Sequence, residues 1–492
     1  MGAVMPIRLR NRRSILLVFF CMVALSSLVL LEIQPTFAQK TVLQPEATAP
    51  APRIDPRFFG LNIPQGEIRP GGNKRVVTTD EAGKAIVALL HARVGKNGIV
   101  MLPDGKLVSR TPAEASATQR PFVPLSHDET ARALQLDKQL ARLTLRETKH
   151  YVFLYNTSPE FADMTRRILE TLLPGVMGYL KNMTLEVHEP ILPLVVIMFR
   201  TRQEYQNFQR MPAGVVAYYN TVSNHVVMTE ETSIEKLKQE LGLQQSISTI
   251  AHEGVHQILH NVGVQQRLSV WPMWASEGFA EYLSPTSFGK RMRWKGAGKV
   301  NDLRMFEIER YRKGRPAGTE AGQLVEHTVG AARLSSTGYA TAWALTYHLA
   351  RAQKKSYATY IRNLSEIGPL QGSIQSNKAS MIAENKRLFS RHFGSDFAKI
   401  EASVLKRLDY LTYNDPFSEW PHFVTLLNYG KRGNERQADV FHTYRMAVKW
   451  GENQIQKLPK DKQVAAQYDV VPFPDRRRAQ IYLKRWLRRR VK

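Results

Sequence analysis

Apolar positions along this chain fall into stretches of different period. Ser14 to Leu31 is continuous, apolar and uncharged. Gly98-Ile99-Val100-Met101-Leu102, then Pro103-Asp104-Gly105, then Lys106-Leu107-Val108 predicts strand, turn and strand. Residues 128–147 are charged and helical in pattern. Tyr151 to Tyr155 predicts a strand, Phe161 to Leu180 a helix, and Leu192 to Phe199 a strongly apolar strand. Val215 to Met228 alternates around Asn220-Thr221-Val222-Ser223-Asn224, the pattern of a β-hairpin. From residue 234 to about 450 the spacing is mostly helical, including Ile247 to Val262 and Trp274 to Tyr282. Mixed strands followed by helices indicate an α+β fold. There are no internal repeats.

The chain has 492 residues, 43% hydrophobic and 23% charged, an ordinary globular composition. Composition shifts divide it into six parts. Residues 1–38 have the layout of a signal peptide: Arg8, Arg10, Arg12 and Arg13, then the apolar stretch, then Thr36-Phe37-Ala38. The alternative is an uncleaved anchor, because the apolar stretch is at the edge of spanning length. Either reading predicts an exported protein, secreted, periplasmic or at the cell envelope. Residues 39–56 form a Pro/Ala-rich linker and 57–130 a small β-containing module. Residues 131–365 are the main domain, 366–455 a helical extension and 456–492 a basic tail.

The only cysteine, Cys21, lies in the apolar stretch, so an exported mature chain has no disulfide and any metal site must use His and carboxylate ligands. The net charge of +26 favours anionic neighbours such as envelope polymers or a membrane surface. No nucleic-acid motif accompanies it. Nine Lys/Arg lie in 476–492, interleaved with Ile481, Tyr482, Leu483, Trp486 and Leu487. A basic helix docking through Trp486 is the favoured reading, and a membrane- or polymer-binding amphipathic helix the alternative.

Residues 252–256 read His-Glu-Gly-Val-His. Positions four apart share a helix face, so His252 and His256 can aim at one ion. Glu253 is placed to take a proton from water without ligating. A catalytic zinc takes three protein ligands, and Glu277 supplies the third from the segment Trp274 to Tyr282. His260 reads as an ordinary helix histidine, and Trp271, Trp274, Tyr347 and His348 as packing residues.

These residues resemble the gluzincin clan of zinc peptidases, which includes thermolysin-like enzymes and aminopeptidases, and most closely its exported peptidase-MA-like families of unknown function. The likeness covers about 150 residues, from the hairpin to Leu349. Gln257 and Asn261 fall where the aminopeptidase motif has Gln and Asn, and Ser276 to Tyr282 resembles that group's second signature. The resemblance implies a small mixed sheet followed by a helical lobe carrying the motif. It implies that Glu281, four residues after Glu277, orients His252 through a hydrogen bond. It implies that Tyr339 stabilises the oxyanion. The Gly-x-Met-Glu-Asn signature of exopeptidases is absent. Metzincins are excluded by Leu259 and Val262, where they need Gly and His.

The expected function is zinc-dependent hydrolysis, most directly of peptide bonds in a peptide or protein substrate, with one Zn2+ and Glu253 as base. The alternatives are a zinc-containing envelope scaffold and a metal hydrolase acting on non-peptide amides. The hairpin is a candidate edge for an extended peptide.

Overall fold

The computed structural model describes residues 54–80, 82–212, 214–231, 239–287, 293–315, 318–373, 377–430 and 435–488. The signal segment, Cys21 and nearly all of the Pro/Ala linker lie outside the described residues. Among those described, no helix is long and apolar enough to cross a membrane.

The N-terminal module is a meander. Strands β1 (Ile68–Thr79), β2 (Ala85–Val94), β3 (Asn97–Met101), β4 (Leu107–Arg110) and β5 (Ser116–Ala117) form a sheet of order β4-β3-β2-β1-β5. The turn at Pro103-Asp104-Gly105 joins β3 to β4 as its sequence predicts.

The main domain follows with α1 (His127–Gln135), β6 (Thr144–Glu147), β7 (Tyr151–Tyr155), α2 (Pro159–Asn182), β8 (Leu194–Phe199), α3 (Arg202–Phe208), β9 (Ala217–Asn220) and β10 (His225–Thr229). The single helix expected over 128–147 is wrong. Asp137 closes a turn after α1 by accepting from the backbone of Gln139, Leu140 and Ala141. Thr144–Glu147 then pairs with β7 as an edge strand, a tertiary partner that local spacing cannot reveal.

The sheet runs β6-β7-β8-β10-β9, with β7, β8 and β10 parallel and the two edges antiparallel. Its central strands read as unbroken apolar runs because both faces are covered. Tyr151, Phe153, Val196, Met198 and Val226 face the helical lobe. Val152, Leu154, Val195, Ile197 and Val227 face α1 and α3, where Ala131, Tyr205 and Phe208 meet them.

The helical lobe comprises α4 (Gln239–Asn261), α5 (Met273–Leu283), α6 (Asp302–Gly314), α7 (Gln323–Gly330), α8 (Ser336–Ala352), α9 (Lys354–Ser365), α10 (Lys378–Phe393) and α11 (Phe397–Asp409). Strands first and helices after is the α+β order expected. Helix α5 is buried from Trp274 to Leu283. Its approach to α8 needs Gly278, where a Cβ would sit 2.5 Å from the Ala342 carbonyl oxygen.

The C-terminal region corrects a second expectation. Residues 366–455 are not a purely helical extension. After α11 come β11 (His422–Tyr429), β12 (Glu435–Phe441), α12 (Tyr444–Lys457), a short α13 (Lys460–Gln463), β13 (Gln467–Phe473) and α14 (Arg476–Arg488). Strand β11 lies between β12 and β13, so Val424 and Leu426 are buried by a sheet rather than by a helix stripe. Helix α14 packs Tyr482, Leu483 and Trp486 onto that sheet and leaves Arg477, Arg478, Lys484 and Arg485 exposed. Trp486 docks as the favoured reading expects, while Ile481 and Leu487 stay exposed.

This module is tied to α6 through charge. Arg476 reaches both oxygens of Glu309 at 2.9 and 3.0 Å and donates to Tyr413 at 3.0 Å. Burial alone would raise the pKa of Glu309, but Lys313 and Arg476 outweigh it and hold the carboxyl at about 2. The unfolded value is about 4.3. A depressed folded pKa means that the contribution is complete above the unfolded value and disappears as pH falls through the folded one. The urea midpoint is therefore expected to fall between about pH 4.5 and 2. Glu309→Gln should flatten that part of the profile and cost on the order of 2–3 kcal/mol at pH 7. An unchanged acid limb in the variant would contradict this account.

Candidate metal centre

Helices α4 and α5 bring the motif residues together. His252 and His256, one turn apart on α4, project toward α5, where Glu277 stands. Nε2 of His252 lies 3.0 Å from Oε2 of Glu277 and 3.2 Å from Nε2 of His256. Nε2 of His256 lies 3.6 Å from the same Glu277 oxygen. Zinc with ligands at 2.0–2.1 Å in a tetrahedron separates its ligand atoms by about 3.3 Å. The three measured edges bracket that value, and all three residues are buried. The set expected from sequence is therefore assembled, with donors whose chemistry and spacing fit zinc.

Glu253 occupies a different position. Its Oε2 accepts the backbone N–H of Tyr219 on the edge strand β9 at 2.9 Å. Its Oε1 has no hydrogen-bond partner among the described residues. Burial, reinforced by the nearby Glu277 and Glu281 and opposed by His252, pushes its pKa up to about 8. Glu253, His256 and Glu277 line a small cleft of about 30 Å³ with Tyr219, Thr221 and His260. A larger hollow of about 410 Å³ between α6 and the C-terminal module is lined by Met305, Ile308, Lys313, Tyr413 and Trp450. Its carboxylates are already ion-paired, so the smaller cleft is where reactive groups converge.

Glu281 stands one turn beyond Glu277 and behind His252, with Oε1 3.1 Å from the His252 Nδ1. A proton shared on that side leaves the Nε2 lone pair directed at the ligand cluster. Two residues that spacing alone did not single out hold Glu281. Asn301 donates to its Oε2 at 2.8 Å, and Arg304 donates to its Oε1 at 2.6 Å. Arg304 also binds Glu307 at 2.6 Å, and Ser336 donates to the other oxygen of Glu307. The signal was present as Asn301, Arg304 and Glu307, polar residues at i, i+3 spacing along the start of α6. It becomes meaningful only once that face is known to be buried.

Tyr339, in the first turns of α8, is buried with its ring 6.3 Å from that of His252. The Arg304 guanidinium lies 5.2 Å from the Tyr339 ring centre. Tyr339 thus joins the cluster through its ring, beside His252. His260 stays apart from the ligands: Gln265 holds its Nδ1 and its ring stacks on Tyr219. Burial, with His256 and Arg267 nearby, lowers its pKa to about 3. Gln257 and Asn261 tie α4 to the sheet, Gln257 through the carbonyls of Val195 and Asn224 and Asn261 through the Asn224 side chain. Trp271 and Trp274 are core residues, as read from sequence.

Among the described residues, none of the N-terminal module lines this cleft; the module braces the loop that joins α4 to α5. Arg267, buried in that loop, donates to the carbonyls of Gly105, Thr221 and Val222 at 2.6–2.7 Å. His91 Nε2 lies 2.8 Å from the Arg267 carbonyl oxygen. Leu268, Val270 and Leu370 share a core with Phe59, Val94 and Ile99.

The cluster is rich in buried charge. Glu281 and Glu307 pair with the buried Arg304, while Glu277 faces the two imidazoles. Burial opposes charge on His252, yet the carboxylates of Glu281 and Glu277 outweigh it and raise its pKa to about 10. Burial also works against an ionised Glu277, but His256 and His252 hold it well below the usual carboxylate range. Positive charge between the two imidazoles and Glu277 is therefore favoured, and these three residues could hold a metal ion.

Residues 246–371 match a protein family described as "Protein of unknown function (DUF1570)". The matched segment contains every residue of the cluster, from His252 to Tyr339, and leaves out the sheet and both flanking modules. No curated protein matches the chain.

Glu281→Gln keeps the shape but weakens the acceptor behind His252. It is expected to reduce zinc affinity about 10–100-fold. Competition against a chromogenic chelator measures this, and an unchanged affinity would remove Glu281 from the centre.

Proposed function

We propose that this chain is a zinc-dependent hydrolase of gluzincin type, most directly a metallopeptidase. The observation that carries the reading is the convergence of His252, His256 and Glu277 at tetrahedral spacing beside a carboxyl oxygen of Glu253 that is left without a partner.

Zinc held by the three ligands would supply a Lewis acid that polarises a carbonyl and lowers the pKa of water to about 7. Glu253 acts as general base. Oε2 is fixed by the Tyr219 N–H, so Oε1 is the atom that takes a proton from the attacking water and later passes it to the leaving nitrogen. The C–N bond of the amide breaks, the water oxygen joins the carbonyl carbon, and the proton goes to the amine. A carboxyl with pKa near 8 would be mostly protonated, and so idle as a base, at neutral pH; a dication in the ligand cluster favours its ionised form and restores the base.

The substrate is expected to lie along β9. This strand is the sheet's edge, and its Tyr219 and the following Thr221 line the cleft. Part of its edge is already used, because Tyr219 N–H serves Glu253 and the Thr221 carbonyl serves Arg267. An extended peptide would pair with what remains, by β-augmentation. Tyr339 is proposed to donate its hydroxyl to the oxyanion.

Glu253→Gln is expected to retain zinc and lose hydrolysis of a quenched peptide library by about 10²–10⁴-fold. Full activity in that variant would defeat the assignment. A wild-type protein that leaves the library intact but cuts cell-wall material would move the substrate class to non-peptide amides. Inertness toward both, with zinc bound, would sink the hydrolase reading. Tyr339→Phe keeps the ring contacts with His252 and Arg304 and removes only the hydroxyl. Its kcat is expected to fall about 10²-fold or more with zinc affinity unchanged. An unaltered kcat would leave Tyr339 as a packing residue.

A further inference from the structure

A second cluster of metal-ligating side chains lies away from the cleft, where the C-terminal sheet meets the helical lobe. Asp415 follows α11, His422 is the first residue of β11, and His442 comes directly after β12. Three separate segments thus converge, and one donor atom from each falls within 4.8 Å of the others. Nε2 of His422 and Nε2 of His442 each lie 3.7 Å from Oδ2 of Asp415. That is too long for a hydrogen bond. It is close to the roughly 3.3 Å that separates two ligands of one tetrahedral zinc.

The protonation of His422 is set from behind. Its Nδ1 lies 2.7 Å from the Trp420 carbonyl oxygen, which can only accept, so Nδ1 carries a proton and Nε2 is the nitrogen left to offer a lone pair to an ion. That Nε2 is buried, points into the cluster and has no hydrogen-bond partner among the described residues. The side chain is 1% exposed, and those of Asp415 and His442 are 4% and 13% exposed. A backbone carbonyl fixing the far nitrogen of a buried imidazole is the support that metal-binding histidines receive.

Charge permits a cation here. Arg476 donates to Asp415 Oδ2 at 2.5 Å, but the same guanidinium is also held by Glu309. Lys313 is shared between Glu309 and Asp439 at 3.0 and 2.9 Å. Asp415, Glu309 and Asp439 therefore meet two basic side chains, Arg476 and Lys313, an excess of one negative charge before the imidazoles are counted.

We propose that Asp415, His422 and His442 form a second metal site, structural in role and of the two-histidine, one-carboxylate type, which takes zinc. Imidazole donors favour zinc over calcium or magnesium. The ion fastens both ends of the β11–β12 hairpin to the segment leaving α11. It does for this module what a disulfide does elsewhere, in a chain whose single cysteine lies at Cys21.

The test uses the full chain carrying His252→Ala and His256→Ala, so that the first centre is removed. After chelation and titration with zinc chloride it is expected to bind one zinc per chain. Adding His442→Gln should abolish that binding with an unchanged circular dichroism spectrum, and should remove the rise in Tm that zinc produces. Failure of the double variant to bind zinc, or zinc binding that survives His442→Gln, would overturn the proposal. Zinc-edge anomalous scattering from metal-saturated wild-type crystals is independent of any variant's folding. A peak between Asp415, His422 and His442 is expected, and its absence overturns the site. The two centres fail separately: zinc at Asp415 with none at His252 would defeat the hydrolase reading and sustain this one.

Discussion

Glu277 and Glu281 sit one turn apart on a helix with no exposed face, and burying two carboxylates there is the constraint around which the lobe is arranged. An ionised carboxylate inside protein is costly unless it is paired and hydrogen-bonded. Glu281 meets that demand with Arg304, Asn301 and His252. Glu277 meets it with the two imidazoles. Arg304 in turn needs a second carboxylate, Glu307, which Ser336 at the start of α8 holds. Helices α4, α5, α6 and α8 are thereby joined by one chain of charge-assisted contacts, and the position of each depends on the others.

The backbone packing serves the same arrangement. Gly278, between the two glutamates, lets α8 approach α5 so closely that a side chain there would strike a carbonyl. That contact brings Tyr339 and Ser336, both on α8, up to the cluster. On the other side, Gln257 and Asn261 fasten α4 to the sheet and so set its distance from β9. The Tyr219 N–H can then reach Glu253. The motif's second glutamine and asparagine therefore act on geometry rather than on chemistry.

Much of the centre was legible because its spacing is local. His252 and His256 lie within one turn, Glu277 and Glu281 within another, and helical periodicity puts each pair on one face. What was not legible depended on distant partners. Thr144–Glu147 reads as helix until β7 is beside it. Phe423 to Leu427 sits in a region of helical spacing until β12 and β13 flank it. Arg304 looks like any surface arginine until its helix is known to be buried at that end. Asp415, His422 and His442 share no motif spacing at all; a hairpin and a turn bring them together. The signal segment and Cys21 fall outside the described residues.

Glu253 and Glu281 are the same residue type on facing helices, within the same buried volume, yet they are prepared for opposite tasks. Glu281 is surrounded by donors, Arg304 foremost among them, which together overcome burial and hold its pKa down at about 2. It stays charged and cannot easily take a proton. Glu253 has one backbone donor, an unpartnered oxygen and carboxylate neighbours, so its affinity for a proton rises. A group that must accept and then release a proton needs that second environment, and a group that must orient an imidazole needs the first. The division of labour is therefore written in the number of donors around each carboxylate. This is the physical reason for proposing Glu253 as the base and Glu281 as the support.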